Sequence, residues 1–180
     1  MNKLLKLLCP DEYLSSVSQI DLQALRNRGF SAILVDLDNT LVPWRKSEVP
    51  KATHDWLQKA KEYGFKVCIV SNTRFPNRLK RLAKEMNLPY VNRVLKPRRG
   101  GFREALRLLG VEPEHAVVVG DQVFTDILGG ERLGLYTILV RPLSKHEFIA
   151  TIISRFFERM LLRFFERRGM LAIKDGAKPS

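Results

Sequence analysis

The sequence predicts an α/β fold, in which helices cover both faces of a parallel sheet of about five strands and an amphipathic helix follows at the C-terminus. Two observations support this fold class. Short continuous apolar runs, such as residues 32–35 and 115–119, are typical of strands that are buried on both faces. Segments with helical patterns separate these runs, and crossover helices of this kind connect parallel strands.

The predicted elements alternate along the chain. Residues 1–30 are interpreted as short helical pieces, of which 21–28 is the clearest because Gly29 follows it. Pro43 indicates a tight turn at residues 41–44. Strands are predicted at residues 32–35, 65–70, 90–95, 115–119 and 136–140, and helices at residues 50–63, 76–86, 101–109 and 123–132.

Size and composition indicate one globular domain with an appendage. The 180 residues are 45% hydrophobic and 28% charged, which excludes a disordered chain. We expect a domain at residues 1–142, an amphipathic basic helix at 143–170 and a disordered tail at 171–180. No apolar run approaches the ~18 residues of a membrane span and no signal cleavage pattern follows residues 4–8, so a cytoplasmic location is expected. Cys9 and Cys68 lack metal-ligand spacing and are interpreted as ordinary thiols.

The net charge of +12 is concentrated in two segments. Residues 74–107 contain eleven Lys and Arg against two Glu, and residues 141–180 contain nine against four acidic residues. A basic surface attracts phosphates, nucleic acid or acidic lipid, while the alternative for either segment is a solvated helix face.

Polar side chains follow the predicted strands at the points where the strands end. The carboxyl ends of parallel strands meet at one edge of a sheet, where open α/β sheets bind their ligands. Each of these residues has a structural alternative as part of a turn, a helix cap or a solvated surface. Their recurrence at successive strand ends favours a functional cluster: Asp36 and Asp38, Ser71 and Asn72, Lys96, and Asp121 and Asp126.

The carboxylates of this cluster predict a Mg²⁺ cofactor. Asp36 and Asp38 project to the same side of an extended chain, and such a pair is repulsive unless a cation or a shared proton relieves it. Mg²⁺ prefers oxygen ligands of this kind and keeps several waters. Asp121 is expected to complete the metal shell, with Asp126 as a further ligand or as a brace.

The same residues suit phosphoryl transfer. Asp36 would attack phosphorus and form an aspartyl-phosphate, and Asp38 would protonate the departing alcohol and then help to activate water. Ser71, Asn72 and the start of the following helix would bind phosphoryl oxygens. Lys96 would neutralise the charge that the phosphate shares with Asp36.

Four short motifs occur in order along the chain: residues 36–40 (DLDNT), Ser71-Asn72, Lys96-Pro97 and residues 120–126 (GDQVFTD). They resemble the four motifs of phosphatases of the haloacid dehalogenase superfamily. Residues 38–44 and 120–137 are more narrowly similar to subfamily IIIA members of the YqeG type, a group similar to mitochondrial phosphatidylglycerophosphate phosphatases. The resemblance covers about residues 10–142.

This resemblance implies a Rossmann-like sheet, dependence on Mg²⁺, phosphorylation of Asp36 and a metal bond from the main-chain carbonyl of Asp38. Gln122 stands where many superfamily members have an acidic or small residue, which leaves Asp121 and Asp126 to share the remaining metal contacts.

The substrate is expected to be large, because the gaps that hold cap domains in this superfamily hold about one helix each here. The resulting open site suits a phosphate on a lipid surface or a polymer. By resemblance the substrate is phosphatidylglycerophosphate at the inner face of the membrane. The alternative is a phosphatase or a non-catalytic module that acts on nucleotides, nucleic acid or the ribosome, although few aromatic residues accompany the charges of 74–107. The candidate substrate contacts are Thr40, Trp44, Arg74, Arg78, Arg98 and Arg99.

The C-terminal segment repeats apolar residues every three to four positions between residues 148 and 165. Arg155, Arg159 and Arg163 are expected on the opposite side from most of them. This pattern is typical of an interfacial membrane helix and indicates membrane contact through residues 145–168. The alternatives are docking on the domain and pairing with a second copy in a homodimer.

Overall fold

The computed structural model describes residues 3–92, 94–144 and 149–171, and in the last segment it describes side chains from residue 154 onward. These residues form one parallel sheet with the strand order β1-β6-β5-β2-β3-β4. The strands are β1 Glu12–Leu14, β2 Ala32–Val35, β3 Lys66–Ser71, β4 Tyr90–Asn92, β5 Ala116–Gly120 and β6 Tyr136–Val140. The predicted α/β class is therefore confirmed.

The strand count differs from the prediction because residues 12–14 form an edge strand instead of a helical piece. β1 pairs in parallel with β6, and Tyr13 lies opposite Leu139. A strand of three residues is too short to show a strand period, and its partner lies more than 120 residues away in sequence. β4 is also shorter than the predicted 90–95 and ends at Asn92.

The helices agree with the predicted order. They are α1 Lys3–Lys6, α2 Leu22–Asn27, α3 Lys51–Glu62, α4 Pro76–Met86, α5 Gly100–Leu109, α6 Leu128–Glu131 and α7 Ile149–Arg167. The helix predicted at residues 123–132 begins as a π-helical turn, Val123–Ile127, and continues as α6. Among the helices that the structure describes, none has the length and apolar character to span a membrane.

Both faces of the sheet are buried, as the continuous apolar strands predict. Val35 of β2 belongs to the apolar cluster that includes Trp56 of α3 and Leu79 of α4. Leu34, the preceding residue on the same strand, belongs to the opposite cluster with Phe102 of α5. Since successive strand residues point to opposite faces, α3 and α4 cover one face and α5 covers the other.

The helix α7 packs against the end of the sheet that carries β1 and β6. Leu162 and Phe165 are buried in a third apolar cluster with Tyr13, Ile127 and Leu139. The inner face of α7 therefore docks on the domain, which is one of the three roles considered for this helix. The predicted tail, residues 171–180, lies outside the described residues except for Leu171.

Candidate active site

The loop after β2 brings its two aspartates to the middle of the sheet. The main-chain N–H of Asp36 donates to Val119 O at 2.9 Å, which extends the pairing of β2 with β5 by one residue. The chain then turns tightly, because the N–H groups of Leu41 and Val42 both donate to Leu37 O. Strand order reverses between β2 and β5, so Asp36 stands at the position where sheets of this type bind ligands.

Lys96 joins the segments that follow β2 and β5 through its ammonium group. Its Nζ donates to Asp36 Oδ1 at 2.5 Å and to Asp126 Oδ1 at 2.6 Å, and its side chain is only 2% exposed. Burial by itself lowers the pKa of Lys96, but Asp126 and Asp36 outweigh burial and raise it above its ordinary value. Lys96 therefore stays charged throughout the physiological pH range.

Asp36 is the carboxylate on which the charges of the site converge. Burial raises its pKa well above the ordinary value, Lys96 opposes this rise, and Asp126 and Asp121 add to it. The protein by itself does not fully compensate a negative charge on Asp36. A further cation at this edge of the sheet would do so.

Ser71 and Asn72 end β3 beside this cluster and line the same cleft as Asp36. The Oγ of Ser71 accepts a hydrogen bond from the N–H of Thr73 at 3.1 Å. Asn72 holds the main chain of Lys96: its Oδ1 accepts from Lys96 N at 3.1 Å, and its Nδ2 donates to Lys96 O at 3.5 Å. Asn72, which we predicted to bind phosphate, thus has a direct structural contact with the predicted phosphate-neutralising lysine.

Asp121 and Asp126 follow β5 and have different surroundings. Thr40 Oγ1 donates to Asp121 Oδ1 at 3.4 Å. Asp126 uses Oδ1 for Lys96 and Oδ2 for the N–H of Gln122 at 3.2 Å. These contacts tie Lys96 to the loop after β5, which suits the brace, one of the two roles considered for Asp126.

Gly120 leaves the space that the carboxylate of Asp126 occupies. A Cβ atom at this position would lie 2.3 Å from Asp126 Cγ and 2.6 Å from Asp126 Oδ2. These distances are far inside van der Waals contact, so the carboxylate of Asp126 packs directly on the glycine backbone.

A cleft of about 470 Å³ is lined by Asp36, Asp38, Ser71 and Asn72. This volume is within the usual range for small-molecule sites. The predicted contacts Trp44 and Arg74 line it. Thr40 is 1% exposed and contacts Asp121 instead. Of the three remaining predicted contacts, Arg98 and Arg99 are exposed and lie outside the lining of this cleft, and Arg78 contacts Asp38.

Three arginines have roles that sequence reasoning did not assign. Arg78 Nη1 donates to Asp38 Oδ1 at 2.8 Å, and its Nε donates to Lys46 O at 2.7 Å. Arg45 lies over the Trp44 ring, 4.5 Å from its centroid, and lines the cleft. The concentration of positive charge pointed to Arg78 as one of several candidates, but no local pattern distinguished it from its neighbours.

The third is Arg155 of α7, for which the sequence predicts a place opposite most of the apolar residues of the helix but no contact with the domain. Its Nη2 donates to Asp121 Oδ2 and its Nη1 to the main-chain oxygen of Asp121. The helix has apolar residues on two faces, and Arg155 lies at the edge of the inner face. The sequence pattern predicts the side of the helix on which Arg155 lies, but not that this side faces Asp121.

The donor set fits Mg²⁺ with partial hydration. In the part of the chain that the structure describes, no group of three or more His, Cys, Asp or Glu side chains is placed to hold a metal ion by itself. Mg²⁺ is usually held by one or two carboxylates together with waters and substrate phosphate, so a closed cage is not required. Among the described residues, the carboxylates of Asp36, Asp38, Asp121 and Asp126 contact Lys96, Arg78 and Arg155, and a site so rich in carboxylates suits a divalent cation.

Comparison with known proteins places this site in a family. The model of the haloacid dehalogenase-like hydrolases matches residues 43–134. The chain is 36% identical over 164 residues to "Probable phosphatase YqeG" of Bacillus subtilis (strain 168), covering 91% of this chain and 95% of that protein. The chain belongs to the haloacid dehalogenase-like hydrolase family. The predicted relationship to the YqeG type and the predicted enzyme class, a phosphatase of haloacid dehalogenase type, are thereby confirmed.

Other relatives are more distant. The chain is 27% identical over 171 residues to phosphatidylglycerophosphate phosphatase 1, chloroplastic/mitochondrial, of Arabidopsis thaliana, where it covers 89% of this chain and 49% of that protein. The chain thus spans about half the length of this plant relative. A crystal structure of an uncharacterized protein from Listeria monocytogenes serotype 4b shares the fold, with a TM-score of 0.54 and 22% identity over 67% of this chain and 87% of that one. A second, from Corynebacterium glutamicum, gives a TM-score of 0.52 at 17% identity over 78% of this chain and 96% of that one.

Proposed function

We propose that this protein is a Mg²⁺-dependent phosphomonoesterase that works through an aspartyl-phosphate on Asp36 and acts on phosphatidylglycerophosphate at a membrane surface. The observation that carries the proposal is the contact of Lys96 with Asp36 and Asp126, at the carboxyl ends of the central strands β2 and β5. This contact pairs a carboxylate that lines the open cleft with a buried lysine.

The metal would be held by a carboxylate oxygen of Asp36, the main-chain oxygen of Asp38 and a carboxylate oxygen of Asp121. Bound there, Mg²⁺ would neutralise charge on the phosphoryl oxygens of the substrate. Asp126 would hold Lys96 in place without binding the metal.

In the first half of the reaction, a carboxylate oxygen of Asp36 forms a bond to phosphorus while the bond from phosphorus to the alcohol oxygen breaks. Lys96 binds Asp36 Oδ1, so Oδ2 is the oxygen that we expect to attack. Asp38 gives a proton to the departing alcohol, and Arg78, which donates to Asp38 Oδ1, sets the orientation of that side chain.

In the second half, Asp38 takes a proton from a water molecule that attacks the phosphorus of the aspartyl-phosphate. The bond from phosphorus to Asp36 then breaks, and inorganic phosphate leaves with the carboxylate restored. Ser71 and the N–H groups at the end of β3 would bind phosphoryl oxygens through both halves.

A lipid substrate is supported by the open cleft, by the similarity to the Arabidopsis enzyme and by the outer face of α7. On this face Phe156, Phe157, Met160 and Phe164 are all between 38% and 57% exposed. Arg159, Arg163 and Arg167 of the same helix are exposed as well. A helix that presents large apolar side chains with flanking arginines is suited to the interface of an anionic bilayer. We infer a protein that binds peripherally to the cytoplasmic face of the membrane.

The test is release of inorganic phosphate from lipid, nucleotide and sugar phosphates, with and without Mg²⁺. We expect release from phosphatidylglycerophosphate in vesicles to exceed release from the soluble esters and to require the metal. Asp36→Asn should abolish release while the fold stays intact, as a cooperative unfolding transition would show, and Asp55→Asn, on the exposed surface of α3, is the matched control. Full turnover by Asp36→Asn would refute the nucleophile, whereas a preference for nucleotides would refute the lipid substrate.

A further inference from the structure

The helix α7 reaches the candidate metal site through one side chain. The guanidinium of Arg155 forms a fork on Asp121, with one nitrogen bound to the carboxylate and the other to the main-chain oxygen of the same residue. The side chain of Asp121 is fully buried, and that of Arg155 is 14% exposed. A planar guanidinium that binds two oxygens of one residue restricts its rotamer far more than a single point charge would.

The fork approaches Asp121 from the side of the sheet away from Asp36. Leu162 and Phe165, on the same helix as Arg155, pack with Tyr13. Tyr13 belongs to β1, which lies beyond β6 on one side of β5, whereas Asp36 follows β2 on the other side. Arg155 therefore stands behind the predicted metal ligand.

The two oxygens of Asp121 consequently have separate partners. Oδ2 binds Arg155 at the back, while Oδ1 accepts from Thr40, which belongs to the loop that carries Asp36 and Asp38. Oδ1 is thus held on the side where the cation would bind. The fork fixes this division, because rotating the carboxylate would break the bond to Arg155.

Glu158 in turn supports the guanidinium. It is 3% exposed, and its Oε2 accepts from Arg155 Nη1 at 3.1 Å. Its Oε1 accepts from the N–H of Phe124 at 3.2 Å. Phe124 lies in the π-helical turn after Asp121. Glu158 therefore connects Arg155 to the segment that carries Asp121.

We propose that Arg155 is a positioning residue for metal binding, which fixes the carboxylate of Asp121 in the orientation that accepts the cation. This inference rests on the proposed function, because it takes Asp121 as a metal ligand. It makes α7 part of the active site. If Arg155 only fastened the helix to the domain, it would leave the affinity for metal unchanged or, through charge repulsion, lower it.

The experiment measures binding of Mn²⁺ to the substrate-free full-length chain by electron paramagnetic resonance, with Mg²⁺ as a competitor. Arg155→Met should weaken Mn²⁺ binding by roughly 10–100-fold, the usual effect of losing a group that orients a metal ligand. Arg155→Lys keeps the charge but cannot form the fork, so its affinity for Mn²⁺ should lie between those of the wild type and Arg155→Met. Arg159→Met removes an exposed arginine of the same helix and should bind Mn²⁺ like the wild type.

Leu162→Ala separates positioning from helix docking. This variant loosens the packing of α7 without touching Asp121, so it should lower the midpoint of thermal unfolding but keep near-normal Mn²⁺ affinity well below that midpoint. Unchanged or tighter binding in Arg155→Met, or an equal loss in Leu162→Ala, would overturn the positioning role alone. Arg155→Lys decides the question if Arg155→Met does not fold, because wild-type affinity in that variant would equally overturn it. If the wild type binds no divalent cation, the proposed metal dependence fails as well.

Discussion

The side chain of Asn72 holds the main chain of Lys96 at both its N–H and its carbonyl. β3 and the loop before α5 meet at this contact, 24 residues apart in sequence. The position of the Lys96 ammonium relative to Asp36 therefore depends on a neutral amide that lies at the end of a neighbouring strand.

Asn72→Ala should lower kcat/KM for phosphate release because it frees the backbone of Lys96. A displacement of about 1 Å at a catalytic group can cost roughly 100-fold, and we expect a loss of that order. The measurement is steady-state release of phosphate. Asn77→Ala, on the exposed surface of α4, is the control and should match the wild type. Normal turnover in Asn72→Ala would show that Lys96 does not depend on this contact.

Gly120→Ala should both destabilise the protein and reduce its activity, since the new methyl group must displace Asp126, the partner of Lys96. Overpacking of this kind typically costs about 1–3 kcal/mol in the free energy of unfolding. Urea denaturation and phosphate release measure the two effects.

Gly100→Ala provides the comparison for this variant. A Cβ atom at Gly100 meets nothing within 4 Å, and the residue opens α5. Alanine is favoured over glycine in helices by up to ~1 kcal/mol, so Gly100→Ala should be neutral or stabilising. Equal effects of the two substitutions would contradict the packing of Asp126 on Gly120.

The two faces of α7 should respond differently to the same substitution. Phe165 is fully buried and Phe157 is 54% exposed. Phe165→Ala should lower the free energy of unfolding by about 3–5 kcal/mol. Phe157→Ala should change it by no more than about 0.5 kcal/mol. Similar losses in both variants, measured by urea denaturation, would mean that α7 packs with another face.

The outer face of α7 should bind anionic vesicles. Each phenylalanine that leaves water contributes roughly 1.5–3 kcal/mol, so replacing Phe156 and Phe157 together by serine should reduce partitioning by at least tenfold. Co-sedimentation with anionic and neutral vesicles measures this, and binding should weaken as salt rises.

Leu108→Ser is the control for the vesicle experiment, because Leu108 is an exposed apolar residue on α5, away from α7. It should leave vesicle binding unchanged. If the double phenylalanine variant binds vesicles normally and instead loses self-association in sedimentation equilibrium, the outer face pairs two copies of the chain.

Much of the site could be predicted because parallel strands deliver the residues after them to one edge. Asp36, Ser71 and Asp121 each follow a continuous apolar run, so topology alone brings them together. The pairing of strands that are distant in sequence was harder to predict. β1 has three residues and no period, and its place beside β6 depends on contacts across the chain.

The sequence by itself determined the α/β class, the order of the main elements and which residues gather at the carboxyl edge, since apolar runs and the residues that end them are local properties. Only the tertiary structure decided the partners of those residues: Asn72 with Lys96, Arg78 with Asp38 and Arg155 with Asp121. A side chain chooses among several polar neighbours by the direction and depth of its burial, and both are set by how distant helices pack on the sheet.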